Sequence, residues 1–200
     1  MKSLFLDTST NLLYIGISKN DKLIKEHIKE GKKDHGQYLV PLINTSLKSV
    51  NLTIDDIDKI YVGSGPGSYT GLRVSGMVAK MFSSLKEIPL YEVSSLYFLS
   101  SGYEGIKAVM IDARNNNVFS AVYDNDKTVV KEALRSIDDF KVEVEKHNAK
   151  MILLDENNYK IDVNKIILKA KLVKNVDAFE PKYLRETQAE RNLWLLENLL

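Results

Sequence analysis

A pattern of strands and turns occurs twice along this chain, and the repetition limits the folds that the chain can adopt. The first copy runs from an apolar segment ending in Asp7 to a turn at Asn20–Lys22. A second copy begins near Ile106, aligns Asp112 with Asp7 without a gap, and repeats the turn at Asn125–Lys127. Asn-Asp turns recur in any β-meander, but the preserved spacing of the strands favours an internal duplication.

Each copy predicts three strands in a meander, then a helix, a strand and a further helix. The connection that leads to the fourth strand is long enough for a crossover. In the first copy the helix after the meander is predicted over 35–50. In the second copy the corresponding helix is predicted over 136–147, and a weak further helix over 164–172. The sequence therefore predicts an α/β fold of two duplicated lobes, of which the second is abbreviated.

The predicted domain boundaries follow from the two copies. We expect residues 1–103 to form the first lobe and residues 104–185 to form the shortened second lobe. An amphipathic helix at 186–200 is expected to pack on the first lobe.

Composition excludes several classes of protein. The chain of 200 residues carries a net charge of +1, whereas proteins that hold nucleic acid alone usually have a basic excess. It contains no cysteine, which rules out disulfides and thiolate chemistry and fits a reducing compartment. No run approaches the roughly 18 apolar residues of a membrane span, and the apolar run before Asp7 is too short for a secretory signal. We expect a cytoplasmic protein that makes no membrane contact.

A glycine-rich segment between a predicted strand at 59–62 and a predicted helix from about Thr70 admits two interpretations. It could hold phosphate with backbone N–H groups, or it could be a structural turn. It lacks the Gly-Lys-Ser/Thr of a P-loop, and Gly65–Gly71 is one residue longer than Gly-x-Gly-x-x-Gly. The turn after the first strand could hold Mg²⁺ beside a phosphate or simply cap a hairpin. The residues of this hypothetical phosphate cleft are Asp7, Thr8, Ser9, Gly65, Gly67 and Ser68.

The helix after the glycine-rich segment carries small residues at every fourth position. These are Gly71, Ser75, Ala79 and Ser83. Such a stripe either packs closely on the protein's own sheet or forms a contact with another subunit, and we predict the subunit contact. The predicted interface residues are Thr70, Gly71, Arg73, Val74, Ser75, Val78, Ala79, Phe82 and Ser83.

The sequence offers no convincing catalytic constellation. His27, His35 and His147 share no metal-binding spacing, and no serine stands in a Gly-x-Ser-x-Gly elbow. We therefore predict no catalytic residue and no metal ligand on this chain.

Five segments together resemble one protein family. They are LDTST at 6–10, HGQYLVPLI at 35–43, SGPGSYTGLRVSGMVAK at 64–80, IDAR at 111–114 and EPKYLRE at 180–186. The chain resembles the TsaB (YeaZ) family, a subunit of the bacterial machinery that makes threonylcarbamoyladenosine (t6A) in tRNA. The resemblance covers nearly the whole chain, and its GPGSYTGLR segment is the most specific part.

The resemblance implies the actin-like ATPase (ASKHA, ribonuclease H-like) fold. It also implies a non-catalytic subunit that supports its paralogue TsaD, the subunit that modifies adenosine 37 of tRNA. TsaD-like chains carry a metal-binding His pair where this sequence has Ser95 and Leu99, and neither side chain replaces a His ligand. The implied partners are TsaD directly, TsaE within the complex, and a second copy of the chain when TsaD is absent.

The resemblance also implies which cofactors to expect, and two alternative functions remain open beside it. We expect no cofactor on the isolated chain, ATP or ADP only at the interface with TsaD, and tRNA contact only through the complex. A small-molecule kinase or ATPase on the same fold is one alternative, for which only Asp7–Ser9 is a fair phosphate loop. A glycoprotease-like metallopeptidase is the other, and the missing His pair argues against it.

Overall fold

The first lobe is built on a six-stranded sheet. The computed structural model describes residues 1–31 and 34–184. The strands of this sheet lie in the order β10-β5-β4-β1-β2-β3, with β1, β4 and β5 parallel to one another. They are β1 (Lys2–Asp7), β2 (Leu12–Lys19), β3 (Lys22–Glu30), β4 (Lys59–Gly63), β5 (Leu90–Val93) and β10 (Lys171–Leu172).

Two of the described helices cover the outer face of the first sheet. They are α1 (His35–Lys48) and α2 (Tyr69–Lys86), and a short 3-10 helix (Ile54–Asp56) lies between them in the chain. The apolar side of α1, Leu39, Ile43 and Leu47, is buried against this sheet at helical spacing. The outer core of the first lobe is therefore closed by α1 and α2 together.

The second lobe is built on a four-stranded sheet in the order β8-β7-β6-β9. Its elements are β6 (Ile106–Asp112), β7 (Asn117–Asp124), β8 (Lys127–Ser136), α4 (Ile137–Lys146) and β9 (Lys150–Leu153). The helix α4 covers the outer face through the buried Phe140. The predicted architecture of two duplicated α/β lobes, with the second shorter, is confirmed.

The lobes share one apolar core. The helix α3 (Ser95–Ser100) lies between the two sheets, and all six of its residues are buried. Phe5 and Tyr14 of the first sheet belong to the same cluster as Val109 and Phe119 of the second. The helix α5 (Val163–Lys169) adds Ile166 to this cluster.

The structure corrects the gapless alignment of the two copies. Asp7 pairs with Tyr14, but the counterpart of Tyr14 in the shared core, Phe119, pairs with Ile111. Ile111, and not Asp112, therefore occupies the position in β6 that Asp7 occupies in β1. Side chains alternate between the two faces of a strand, so Asp112, one residue further on, faces the other side of its sheet. The turn of the second copy is one residue longer, and Arg114 and Asn115 in it have positive φ.

The end of the described chain returns to the first lobe. The helix predicted over 164–172 ends at Lys169, and β10 pairs antiparallel with β5 at the edge of the first sheet. Phe179 is then buried in the outer core of the first lobe. The helix predicted at 186–200 lies outside the described residues.

Candidate functional site

The glycine-rich turn is fixed by hydrogen bonds within the chain. Gly65 N–H donates to Ser95 Oγ at 3.0 Å, and Ser95 N–H donates to the Gly65 carbonyl at 2.9 Å. Gly65 has a φ of +99°, a conformation that favours glycine. Ser68 caps α2 by accepting a hydrogen bond from Gly71 N–H at 3.3 Å. These polar groups of the turn are therefore already used within the fold.

The turn after β1 packs directly on the first turn of α2. Thr8 Oγ1 donates to the Gly71 carbonyl at 2.6 Å, and Ser68 N–H donates to the Ser9 carbonyl at 2.7 Å. A Cβ at Gly71 would lie 1.9 Å from the Thr8 carbonyl oxygen, and one at Gly67 would lie 2.4 Å from the Ser9 carbonyl oxygen. Both glycines are thus required by the close approach of two backbone segments.

Asp7 lies inside the protein. Its Oδ1 accepts hydrogen bonds from Ser9 N–H at 2.8 Å and from Ser9 Oγ at 2.6 Å, and the residue is 1% exposed. Burial raises the pKa of the Asp7 carboxyl, and the hydrogen bonds from Ser9 oppose that rise. The carboxyl group therefore serves as the internal cap of a turn.

A cleft of about 940 Å³ lies between the two lobes. Of the six residues predicted for a phosphate cleft, Ser9, Gly67 and Ser68 line it, whereas Asp7, Thr8 and Gly65 are not among its lining residues. Its charged side chains have both signs. They are Asp112, Arg114, Asp155, Glu156 and Lys182. The binding of a nucleotide here remains a prediction.

Three side chains form a clasp beside this cleft. The rings of Tyr69 and Tyr183 lie 4.7 Å apart between centroids, and the Arg73 guanidinium lies 4.2 Å from the centre of the Tyr69 ring. Arg73 Nε also donates to the Tyr183 hydroxyl at 3.3 Å. This clasp fastens the segment around Tyr183 to the beginning of α2.

The small-residue stripe of α2 faces inward. Gly71, Ser75, Ala79 and Ser83 are all buried, and Ala79 belongs to the outer core of the first lobe. Ser83 Oγ donates to the Ile88 carbonyl at 2.6 Å. Since these side chains pack on the chain's own sheet and loops, the interpretation of the stripe as a free docking face is wrong for these four residues.

The other predicted interface residues divide into two groups. Thr70 and Arg73 are exposed, whereas Val74, Val78 and Phe82 are half-buried and pack against the outer core. Whether any of them contacts another subunit stays a prediction.

The outer face of α2 carries large apolar side chains that the sequence prediction did not include. Met77 is 69% exposed, Met81 39% and Leu85 73%. They are four residues apart and so form one stripe, which we call the outer stripe. The same helical spacing in the sequence could have revealed them, but the small residues drew the interpretation to the opposite face.

The positions where the TsaD-like His pair would stand lie on α3. Ser95 and Leu99 are both fully buried there. Within residues 1–31 and 34–184, no group of three His, Cys, Asp or Glu side chains could hold a metal ion together. None of the helices in those residues is long and apolar enough to cross a membrane.

Comparison with known proteins identifies relatives along most of the chain. Residues 22–176 match the family model described as TsaD, tRNA N6-adenosine threonylcarbamoyltransferase. The chain is 34% identical over 126 residues to the tRNA threonylcarbamoyladenosine biosynthesis protein TsaB of Bacillus subtilis, covering 62% of this chain and 55% of that protein. For the Escherichia coli protein of the same name the identity is 30%, covering 64% and 57%. The matches thus span little more than half the length of these relatives.

Solved structures show the same fold. YeaZ from Pseudomonas aeruginosa superposes with a TM-score of 0.72 at 21% identity, covering 92% of this chain and 99% of that chain. A second Pseudomonas aeruginosa structure, described as similar to peptidase YeaZ, gives a TM-score of 0.76 at 22% identity. The chain therefore has the fold of the YeaZ structures, and the relation to actin-like ATPases stays what the sequence resemblance implies. The chain belongs to the family of the tRNA N6-adenosine threonylcarbamoyltransferase TsaD, and within it to the TsaB (YeaZ) branch.

Proposed function

We propose that this chain is a non-catalytic subunit of t6A synthesis in the cytoplasm, where it binds TsaD and supports the modification of adenosine 37 of tRNA. The names of the curated relatives support the pathway. The observation that carries the proposal is the outer stripe of α2, because Met77 and Leu85 are more than two-thirds exposed on a helix whose opposite face is buried.

The chemistry of α3 supports a non-catalytic role. Serine is a poor metal ligand and leucine is none, and Ser95 and Leu99 are enclosed between the two sheets. In this proposal TsaD contributes the metal-binding groups of the complex, and the present chain contributes a rigid surface.

The outer stripe is suited to a helix-to-helix contact. Val40 of the neighbouring helix α1 is 38% exposed and adds to the apolar surface of the first lobe's helical layer. Methionine adapts to irregular partner surfaces because its side chain is unbranched and polarizable. TsaD is a paralogue, so a related helix of TsaD is the natural counterpart.

Further parts of the proposal concern the other partners. In the absence of TsaD, the same stripe pairs with that of a second copy. TsaE joins only in the complex, tRNA is contacted through the complex, and ATP or ADP binds only at the interface with TsaD. The isolated chain needs no cofactor.

The experiment is a pull-down of purified TsaD by the full chain carrying both Met77→Glu and Leu85→Arg. We expect TsaD binding to fall by about 100-fold, because replacing two central apolar side chains by charged ones removes several kcal/mol of binding free energy. Leu168→Arg is the matched control, since Leu168 is 85% exposed and stands on α5, which packs on the core shared by the lobes, whereas α2 packs on the outer core.

A t6A assay with and without this chain completes the test. Formation of t6A by TsaD should require this chain. The Leu168→Arg variant should support t6A formation as well as the wild-type chain does. Undiminished TsaD binding by the double variant would refute the docking face, whereas t6A formation without the chain would refute the role itself.

A further inference from the structure

The outer faces of the two sheets are covered differently. On β4 of the first lobe, Ile60 and Val62 lie opposite Leu4 and Leu6 of β1 and are fully buried beneath the helical layer. On β9 of the second lobe, Met151 and Leu153 lie opposite Ala108 and Met110 of β6 in the same arrangement. Yet Met151 is 44% and Leu153 is 39% exposed.

Within residues 34–184, no helix covers the outer face of β9. In the first lobe α2 follows β4 and covers it, whereas β9 is followed by residues 154–162, which form no helix or strand, and then by α5 on the inner face. No strand in the described residues plays the part of β5 in the second sheet, so β9 is an edge strand there. The outer face of β9 and its free edge are therefore exposed together.

The free edge of β9 can be assigned to particular backbone groups. Leu154 N–H donates to the Met110 carbonyl of β6 at 2.8 Å. Because N–H and C=O groups of alternate residues point to the same side of a strand, the backbone groups of Met151 and Leu153 point away from β6. Two residues thus present, at one edge, apolar side chains together with backbone groups that no residue of the described chain pairs.

The other long edge strands of the two sheets are protected. Edge strands of natural proteins commonly carry charged side chains, especially lysine, that prevent pairing with another chain. The strand β3 carries Lys22, Lys25 and Lys29, and β8 carries Lys127 and Lys131. The strand β9 begins with the exposed Lys150, but its two outward residues, Met151 and Leu153, are apolar, so the middle of this edge lacks such protection.

We propose that β9 pairs antiparallel with β9 of a second copy of the chain, with Ile152 on the twofold axis. In this register Met151 of each copy is opposite Leu153 of the other, so all four outward residues are hydrogen-bonded and their apolar side chains cover one another. Lys150 of each copy comes near Asp155 and Glu156 of the other, which gives complementary charges at both ends.

We assign a second copy of the chain as the partner of β9 because β9 is complementary to itself. The register that satisfies the outward backbone groups is also the one that joins apolar to apolar and Lys150 to acidic residues. The contact surface is small, so the association is weak and concentration-dependent. It uses a different surface from the outer stripe of α2 and stands independently of the proposed function.

Sedimentation velocity of the full chain tests the pairing. All variants carry Leu85→Arg so that the outer stripe cannot contribute. We expect self-association at high protein concentration, and Met151→Lys should weaken it by about tenfold or more, because it places a charge on an apolar contact at each end of the strand pair. Val129→Lys is the control, since Val129 lies on the protected edge strand β8 and is 39% exposed, against 44% for Met151. This substitution should change the association constant less than twofold.

A single cysteine provides a second readout that does not depend on the folding of the lysine variant. The chain has no cysteine, and residues facing each other across a non-hydrogen-bonded antiparallel pair have Cα atoms about 4.5 Å apart, within the range of a disulfide. Ile152→Cys should therefore give a disulfide-linked dimer on mild oxidation, faster than Val129→Cys. A monomer at every concentration would overturn the proposal, as would an Ile152→Cys dimer that does not crosslink.

Discussion

The two faces of α2 show how one helix can combine tight internal packing with a free apolar surface. On the inner face Ala79 is completely buried and Ser83 is 4% exposed, and the glycine at the start of the helix touches the turn after β1. On the outer face Met77 and Leu85 are mostly exposed. Small residues on this helix thus indicate contact with the protein's own sheet, and the large apolar residues are the ones left for a partner.

The largest effect is expected at the centre of the inner face. Ala79→Arg places a long charged side chain in a core position that has no exposed surface, and we expect it to lower the free energy of unfolding by about 4 kcal/mol or more. Urea denaturation followed by circular dichroism measures the loss. A variant as stable as the wild type would mean that the inner face is not packed as described.

Gly71→Ala is expected to have the next largest effect. The added Cβ would lie 1.9 Å from the Thr8 carbonyl oxygen, so the turn after β1 must move, at a cost of about 2 kcal/mol. Gly76→Ala on the same helix is the control, because its Cβ would make ordinary contacts from 3.4 Å and alanine favours the helix by roughly 1 kcal/mol. Thermal unfolding should order the proteins as Gly76→Ala, wild type and Gly71→Ala, from most to least stable.

Ser83→Ala should have a moderate effect. It removes the hydrogen bond from Ser83 Oγ to the Ile88 carbonyl at the end of α2, and a buried carbonyl without its donor costs about 1 kcal/mol. The urea midpoint should fall with an unchanged m-value. Exposed Ser84→Ala is the matched control, and an equal loss there would assign the effect to helix propensity.

The smallest effect on stability is expected on the outer face. Leu85→Gln replaces a side chain that is 73% exposed, so the free energy of unfolding should change by no more than about 0.5 kcal/mol. Measured at low protein concentration, where no second copy contributes, a loss above about 2 kcal/mol would show that the outer stripe belongs to the monomer's core and would remove the contrast between the two faces.

The order of the secondary structure could be predicted from sequence because its signals are local. The strand and turn pattern of the first meander and the helix predicted over 35–50 correspond to elements that the structure contains. Strand β10 could not be predicted, because a two-residue strand gains its stability from pairing with β5 rather than from its own pattern.

The site was harder to predict than the fold. The spacing of Gly71, Ser75 and Ala79 shows correctly that they share a face, but spacing alone does not say what covers that face. The inward position of Asp7 depends on its contacts with Ser9 and on burial beside Gly63, which no local pattern encodes. The same is true of the one-residue difference between the turns after β1 and β6, since it becomes visible only when the strands are paired.

The enclosure of α3 between the two sheets has a consequence for how the molecule unfolds. Leu96, Phe98 and Leu99 are fully buried in a cluster built from both lobes, so separating the lobes exposes the same apolar surface that unfolding either lobe exposes. Heat and denaturant should therefore each give one cooperative transition, with the same midpoint for a spectroscopic probe placed in either lobe. The two halves of this duplicated chain then unfold as a single thermodynamic unit.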